Sequence, residues 1–135
     1  MNLFLEYQKK IFNILKKMAK GKEIHIPLNF NLTIDLPPKN QKGDISCNAA
    51  MILAKINNMS PIKLAETLKK NLLNSYKEFK FIEIAGPGFL NISFQNSFWR
   101  DYLKKVIKLN SKYGSSKLKK RKYNIEFVSA NPTGP

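Results

Sequence analysis

Two alternating runs, Phe81-Ile82-Glu83-Ile84-Ala85 and Phe89-Leu90-Asn91-Ile92-Ser93-Phe94, flank the tripeptide Gly86-Pro87-Gly88. No other stretch of the chain restricts the fold so tightly. A period of two puts every second side chain on one face of a strand. Proline sets φ at one corner of a turn, and glycine takes the positive φ that follows. The segment therefore predicts a β-hairpin with a Gly-Pro-Gly tip.

Around it the pattern is mostly helical. Leu3, Tyr7, Ile11, Ile14 and Met18 recur at three- and four-residue steps, which predicts an amphipathic helix over 2–20, stopped by Gly21. Its stripe reads as core; a membrane-surface helix is the alternative. Residues 22–36 read as strands. A short one at Glu23-Ile24-His25-Ile26 is interrupted by Pro27, and a second alternates over Asn31-Leu32-Thr33-Ile34-Asp35-Leu36. A polar loop follows Pro37-Pro38, and Asp44 is placed to N-cap a helix running to about Asn57, with Ala49, Ile52, Leu53 and Ile56 inward. Ser60-Pro61 opens another helix to about Tyr76 through Leu64, Leu68 and Leu72. A last helix, capped by Asn96 or Ser97, runs to about Tyr113 and is closed by Gly114.

Residues 115–122 are small, polar and basic, and read as a linker. Residues 123–128 form a predicted strand, and residues 129–135 a Gly/Pro-containing loop. A strand followed by such a loop ordinarily leads into the helix of a βα unit, so residues 123–135 are expected to open a second domain. Domain organisation is thus 1–114, a linker at 115–122, and the truncated start of a further domain at 123–135.

Composition narrows the class. Hydrophobic residues make up 43% of the chain, enough for a core, so it is not a disordered basic arm. Apolar runs are too short to cross a bilayer. One cysteine, Cys47, and one histidine, His25, exclude an internal disulfide and a His/Cys metal cluster, and point to a cytoplasmic protein without structural zinc. The charge is +15, from 24 Lys+Arg against 9 Asp+Glu. Such an excess suits a polyanionic partner. Lysine as a default surface residue in an AT-rich coding sequence explains it equally well, since the only arginines are Arg100 and Arg121.

No catalytic residue emerges. His25 has no triad partner, and Cys47 at a helix start has no matching base. Gly86-Pro87-Gly88 leads into a strand, not a helix N-terminus, so it is not a phosphate loop. Phe89 and Asn91, two apart, share a face. A core phenylalanine beside an edge asparagine is the ordinary reading. The functional one is recognition of a single unpaired base, the ring stacking and the amide donating and accepting at a base edge. Lys117, Lys119, Lys120, Arg121 and Lys122 form the densest basic run. It reads as a solvated linker or, functionally, as a phosphate contact without sequence specificity.

Three segments resemble the arginyl-tRNA synthetases. The first runs from Gly43-Asp44 through Asn48-Ala49-Ala50-Met51, with Leu53-Ala54-Lys55. The second is Ile84-Ala85-Gly86-Pro87-Gly88-Phe89-Leu90-Asn91. The third is Ile125-Glu126-Phe127-Val128-Ser129-Ala130-Asn131-Pro132-Thr133-Gly134-Pro135. The third resembles the opening of the family's class I catalytic domain, ahead of its His-x-Gly-His signature. The resemblance implies an α+β domain, an antiparallel sheet of about four strands flanked by helices, followed by the opening strand of a Rossmann-like domain. It implies contact with the tRNA elbow at the D-loop, through Gly86, Pro87, Gly88, Phe89 and Asn91; the basic residues Lys119, Lys120, Arg121 and Lys122 are expected, from their charge, to meet the RNA backbone. Glu126, Ser129 and Asn131 are implied to hold arginine. The partners implied are tRNA-Arg, arginine and ATP, with magnesium as a further cofactor of the full enzyme and none in this stretch, which should be catalytically inert. A monomer without membrane contact is expected. The alternative is a free-standing basic RNA-binding module.

Overall fold

A computed structural model of the chain describes residues 2–115. In order they form α1 (Leu3–Lys20), β1 (Ile34–Asp35), β2 (Ile45–Cys47), α2 (Ala49–Ile56), α3 (Pro61–Ser75), β3 (Phe79–Ala85), β4 (Phe89–Phe94) and α4 (Asn96–Leu109), ending in a 3-10 turn at Asn110–Lys112. The four strands make one antiparallel sheet in the order β1-β2-β4-β3, so the architecture is α+β, as expected. Residues 116–122 of the linker, the strand at 123–128 and the loop at 129–135 lie outside the described residues.

One face of the sheet holds the core. Ile45 and Cys47 of β2, Ile82 of β3, and Leu90, Ile92 and Phe94 of β4 are buried in one cluster with the inner stripes of α1, α2 and α3. From α1 come Tyr7, Ile11, Ile14, Leu15 and Met18, which removes the membrane-surface reading of that helix. From α3 come Leu64, Leu68 and Leu72, each fully buried, a burial that stabilises by about 1.5–3 kcal/mol per side chain. α1 starts where the Asn2 side chain accepts the Leu5 N–H at 3.2 Å, and Lys17 and Lys20 face the negative end of its dipole.

The structure corrects the sequence reading between residues 21 and 57. Asp44 does not cap a helix. Its N–H donates to the Ile92 carbonyl at 2.8 Å, and its Oδ2 accepts the Phe94 N–H at 2.7 Å. That clamp draws Ile45–Cys47 into the sheet between β1 and β4, and the helix begins only at Ala49. Its buried face is Ala49, Ala50, Leu53 and Ala54, while Ile56 is exposed. Glu23-Ile24-His25-Ile26 is not a strand, because the Asn57 side chain takes both backbone groups of His25, donating to its carbonyl and accepting its N–H. The strand expected over Asn31–Leu36 shrinks to Ile34–Asp35, since the Thr33 N–H is taken by Asn48 Oδ1 at 2.9 Å. α1 does stop at its C-cap Gly21, as expected, and the positive φ falls on the next residue, Lys22. Gln95 occupies the N-cap of α4, one residue before the expected cap.

Candidate nucleic-acid interface

Opposite the core, the sheet presents a polar row. The registers align Asp35 with Ser46, Ser46 with Asn91, and Asn91 with Glu83, one residue from each strand. The outer members, Asp35 and Glu83, are exposed. The inner pair is not: Ser46 is 8% and Asn91 1% accessible. Their cover is the polar loop between β1 and β2. Gly43, at φ +134°, passes so close that a Cβ there would sit 3.1 Å from the Asn91 Cβ. Only glycine combines that backbone with that approach. Gln41 then caps the asparagine, its Oε1 accepting from Asn91 Nδ2 at 2.7 Å. Asn91 Oδ1 is buried and has no hydrogen-bond partner among the described residues.

Beside this covered pair opens a cleft of about 350 Å³, within the range of small-ligand sites, ~300–1,000 Å³. Phe89, Pro87, Leu36 and Pro38 give it apolar walls, and Gln41, Ser46, Asn48 and Asp35 supply polar groups. Gln41 thus belongs to the cleft and holds the Asn91 amide at once. Lys39 and Lys42, on either side of Gln41 in the sequence, are exposed on the same loop.

The hairpin tip is held in place by glycine. Gly86 has φ +50° and open space around it. Gly88, at φ +110°, would put a Cβ 3.0 Å from Pro61 Cβ and 3.1 Å from the Pro61 carbonyl oxygen, so the tip rests on the first turn of α3. Of the hairpin residues singled out in the sequence, Gly86, Pro87 and Phe89 line the cleft. Gly88 anchors the tip, and Asn91 lies under the loop. Lys119, Lys120, Arg121, Lys122, Glu126, Ser129 and Asn131 lie outside the described residues. Gln41, Ser46 and Asn48 were missed, because their proximity to Asn91 and Phe89 arises from contacts across some forty to fifty positions of sequence, as between Gln41 and Asn91.

Elsewhere the titratable groups are structural. Cys47 is fully buried in β2, and burial pushes its thiol up to about 12, only slightly offset by the Ala49 backbone N–H. Glu78 is held below the ordinary carboxylate range. Burial works against this, but a backbone hydrogen bond and bonds from Lys10 and Tyr7 outweigh it. His25 is exposed. Among the described residues no group of His, Cys, Asp and Glu could hold a metal ion, and no helix is long and apolar enough to cross a membrane.

Comparison with known proteins agrees with this architecture. The family described as the arginyl-tRNA synthetase N-terminal domain matches residues 5–94. An arginine–tRNA ligase of Pelagibacter ubique is 42% identical over 137 aligned positions, covering all of this chain and 24% of that protein. One of Bartonella quintana is 38% identical over 140, covering all of this chain and 23% of its own length. The chain therefore spans about a quarter of the length of these relatives. Among solved structures, the arginyl-tRNA synthetase of Thermus thermophilus superposes with a TM-score of 0.57 at 22% identity, over 76% of this chain and 16% of that one. That of Plasmodium falciparum gives 0.62 at 16% identity, over 77% and 18%. At these identities the superpositions bear on the fold alone. With the family match spanning two thirds of its length, from α1 to the end of β4, the chain belongs to the arginyl-tRNA synthetase N-terminal domain family.

Proposed function

We propose that this chain is the tRNA-contacting domain of an arginine–tRNA ligase and receives an unpaired base of the D-loop at the tRNA elbow. The observation that carries the reading is the cleft beside Phe89 together with the buried, half-satisfied amide of Asn91. A phenyl wall stacks on any base. An amide with one free acceptor and one displaceable donor suits a base edge that offers both partners. Lys39 and Lys42, with Lys119, Lys120, Arg121 and Lys122 beyond the domain, supply phosphate contacts that add affinity without sequence preference. Residues 1–114 form this domain, 115–122 a basic linker, and 123–135 the opening of the catalytic domain.

In the whole ligase, Glu126, Ser129 and Asn131 hold the arginine substrate, the carboxylate of Glu126 pairing with the guanidinium in a bidentate bond. ATP and magnesium act in the same catalytic domain, and the enzyme works as a cytoplasmic monomer. The test is arginylation by a ligase carrying this chain as its N-terminal domain. Phe89→Ala and Asn91→Ala are each expected to cost about 1–3 kcal/mol in kcat/KM, the scale of a lost stack or base contact. Undiminished charging of tRNA-Arg by both variants overturns the assignment.

A further inference from the structure

We infer that Gln41 is a displaceable stand-in for the base: it occupies the Asn91 amide while no RNA is bound and must leave when a base enters the cleft. The inference rests on the base-recognition reading of Asn91 and adds to it a residue that sets when recognition occurs. Asn91 cannot turn outward to meet a ligand. It sits in the middle of the sheet, 1% accessible, with Gly43 packed against its Cβ. Gln41 can turn outward, because it lies on an exposed loop and lines the cleft. Among the described residues, its Oε1 accepts the one hydrogen bond that Asn91 Nδ2 makes, at 2.7 Å, while Asn91 Oδ1 has none.

The consequence is an exchange of partners. A base edge offering only an acceptor replaces the Gln41 bond one for one and gains little. An edge offering an acceptor and an adjacent donor replaces that bond and also satisfies Oδ1, whose unmet demand is the larger quantity. Once displaced, the Gln41 amide is solvated, so its departure leaves no buried group unpaired. Gln41 therefore withholds binding from bases that satisfy half of Asn91 and releases it to those that satisfy the whole.

The experiment is filter binding of a full-length ligase carrying this chain to tRNA-Arg and to a transcript from which the variable D-loop nucleotides are deleted, so that it offers no base to Asn91. The variants are Gln41→Ala, Gln41→Met and Asn91→Ala, singly and with Gln41→Ala combined with Asn91→Ala. Gln41→Met keeps the bulk on the loop and removes the amide, its Oε1 acceptor and its Nε2 donor together. Both Gln41 variants are expected to bind tRNA-Arg about 2- to 10-fold tighter, the worth of one hydrogen bond no longer broken. Their binding to the altered transcript is unchanged, and the gain disappears in the Asn91→Ala background. Weaker or unchanged binding of tRNA-Arg by the Gln41 variants overturns the inference, as does equal tightening toward both RNAs. Asn91→Ala alone separates the two levels. If it leaves the preference for the native D-loop intact, the base-recognition reading itself fails. If it abolishes the preference while Gln41→Ala does not tighten binding, only the role of Gln41 fails.

Discussion

The two faces of the sheet are built from the same strands and solve opposite problems. On the helix side, Ile45, Ile82, Leu90 and Ile92 are buried with the leucines and isoleucines of the helices, and Phe94 packs among the rings of Tyr7, Phe79, Phe98 and Trp99. On the other side Asp35, Ser46, Asn91 and Glu83 run across the sheet, covered in the middle by a loop whose backbone turns at glycine and whose one side-chain bond to Asn91 comes from Gln41. The first face tolerates no gap, because interiors are close-packed. The second leaves an acceptor unpaired among the described residues, which costs stability unless a ligand supplies the missing donor. Functional sites commonly carry such local inconsistencies while the surrounding core holds them in place.

The sharpest way to break this contrast is to damage the helix side. Leu68→Ala is expected to lower unfolding free energy by about 2–5 kcal/mol, measured by urea denaturation, while the molecules still folded keep their preference for the native D-loop. Loss of that preference in the folded fraction would mean that the faces are not separable. Gly43→Ala comes next. A methyl group at φ +134°, 3.1 Å from Asn91, should cost on the order of 1–3 kcal/mol and disturb discrimination with stability, since it pushes the loop off the asparagine. Stability and discrimination should move in opposite directions for Asn91→Leu. An apolar side chain of similar size removes the unpaired acceptor, so the fold is unchanged or gains up to about 1 kcal/mol, whereas discrimination disappears. A stability loss as large as that of Leu68→Ala would show that Asn91 is a structural member of the sheet.

The smallest effect concerns pH. Cys47 has a folded pKa raised to about 12 against about 8.5 when unfolded, so its contribution is complete below the unfolded value and is lost as pH rises from there toward 12. Native protein should leave a thiol reagent unreacted at pH 8, and alkaline unfolding should expose the thiol. Rapid labelling of native protein would contradict the burial of β2.

The hairpin was legible because its signals are local. Alternation over Phe81–Ala85 and Phe89–Phe94 and the Gly-Pro-Gly tip depend on neighbours in sequence, and so do the stripes of α1 and α3. The central strand Ile45–Cys47 was not. Three residues cannot establish a period, and the Asp44 that anchors them imitates a helix cap. The same limit hid Asn57, whose side chain replaces a strand partner for His25. Phe89 and Asn91 were picked out correctly as sharing a face, but spacing cannot report cover. The burial of one and the partial exposure of the other come from the loop above.

Read alone, the sequence established the hairpin, the two long amphipathic helices and the kinship carried by its three motifs, with the α+β class that the kinship implies, since each depends on residue type at short range. The order of the strands, the clamp at Asp44, the cleft and the pairing of Gln41 with Asn91 came from packing. They join residues some fifty positions apart, and a hydrogen bond over that separation forms only when the whole core brings its partners together.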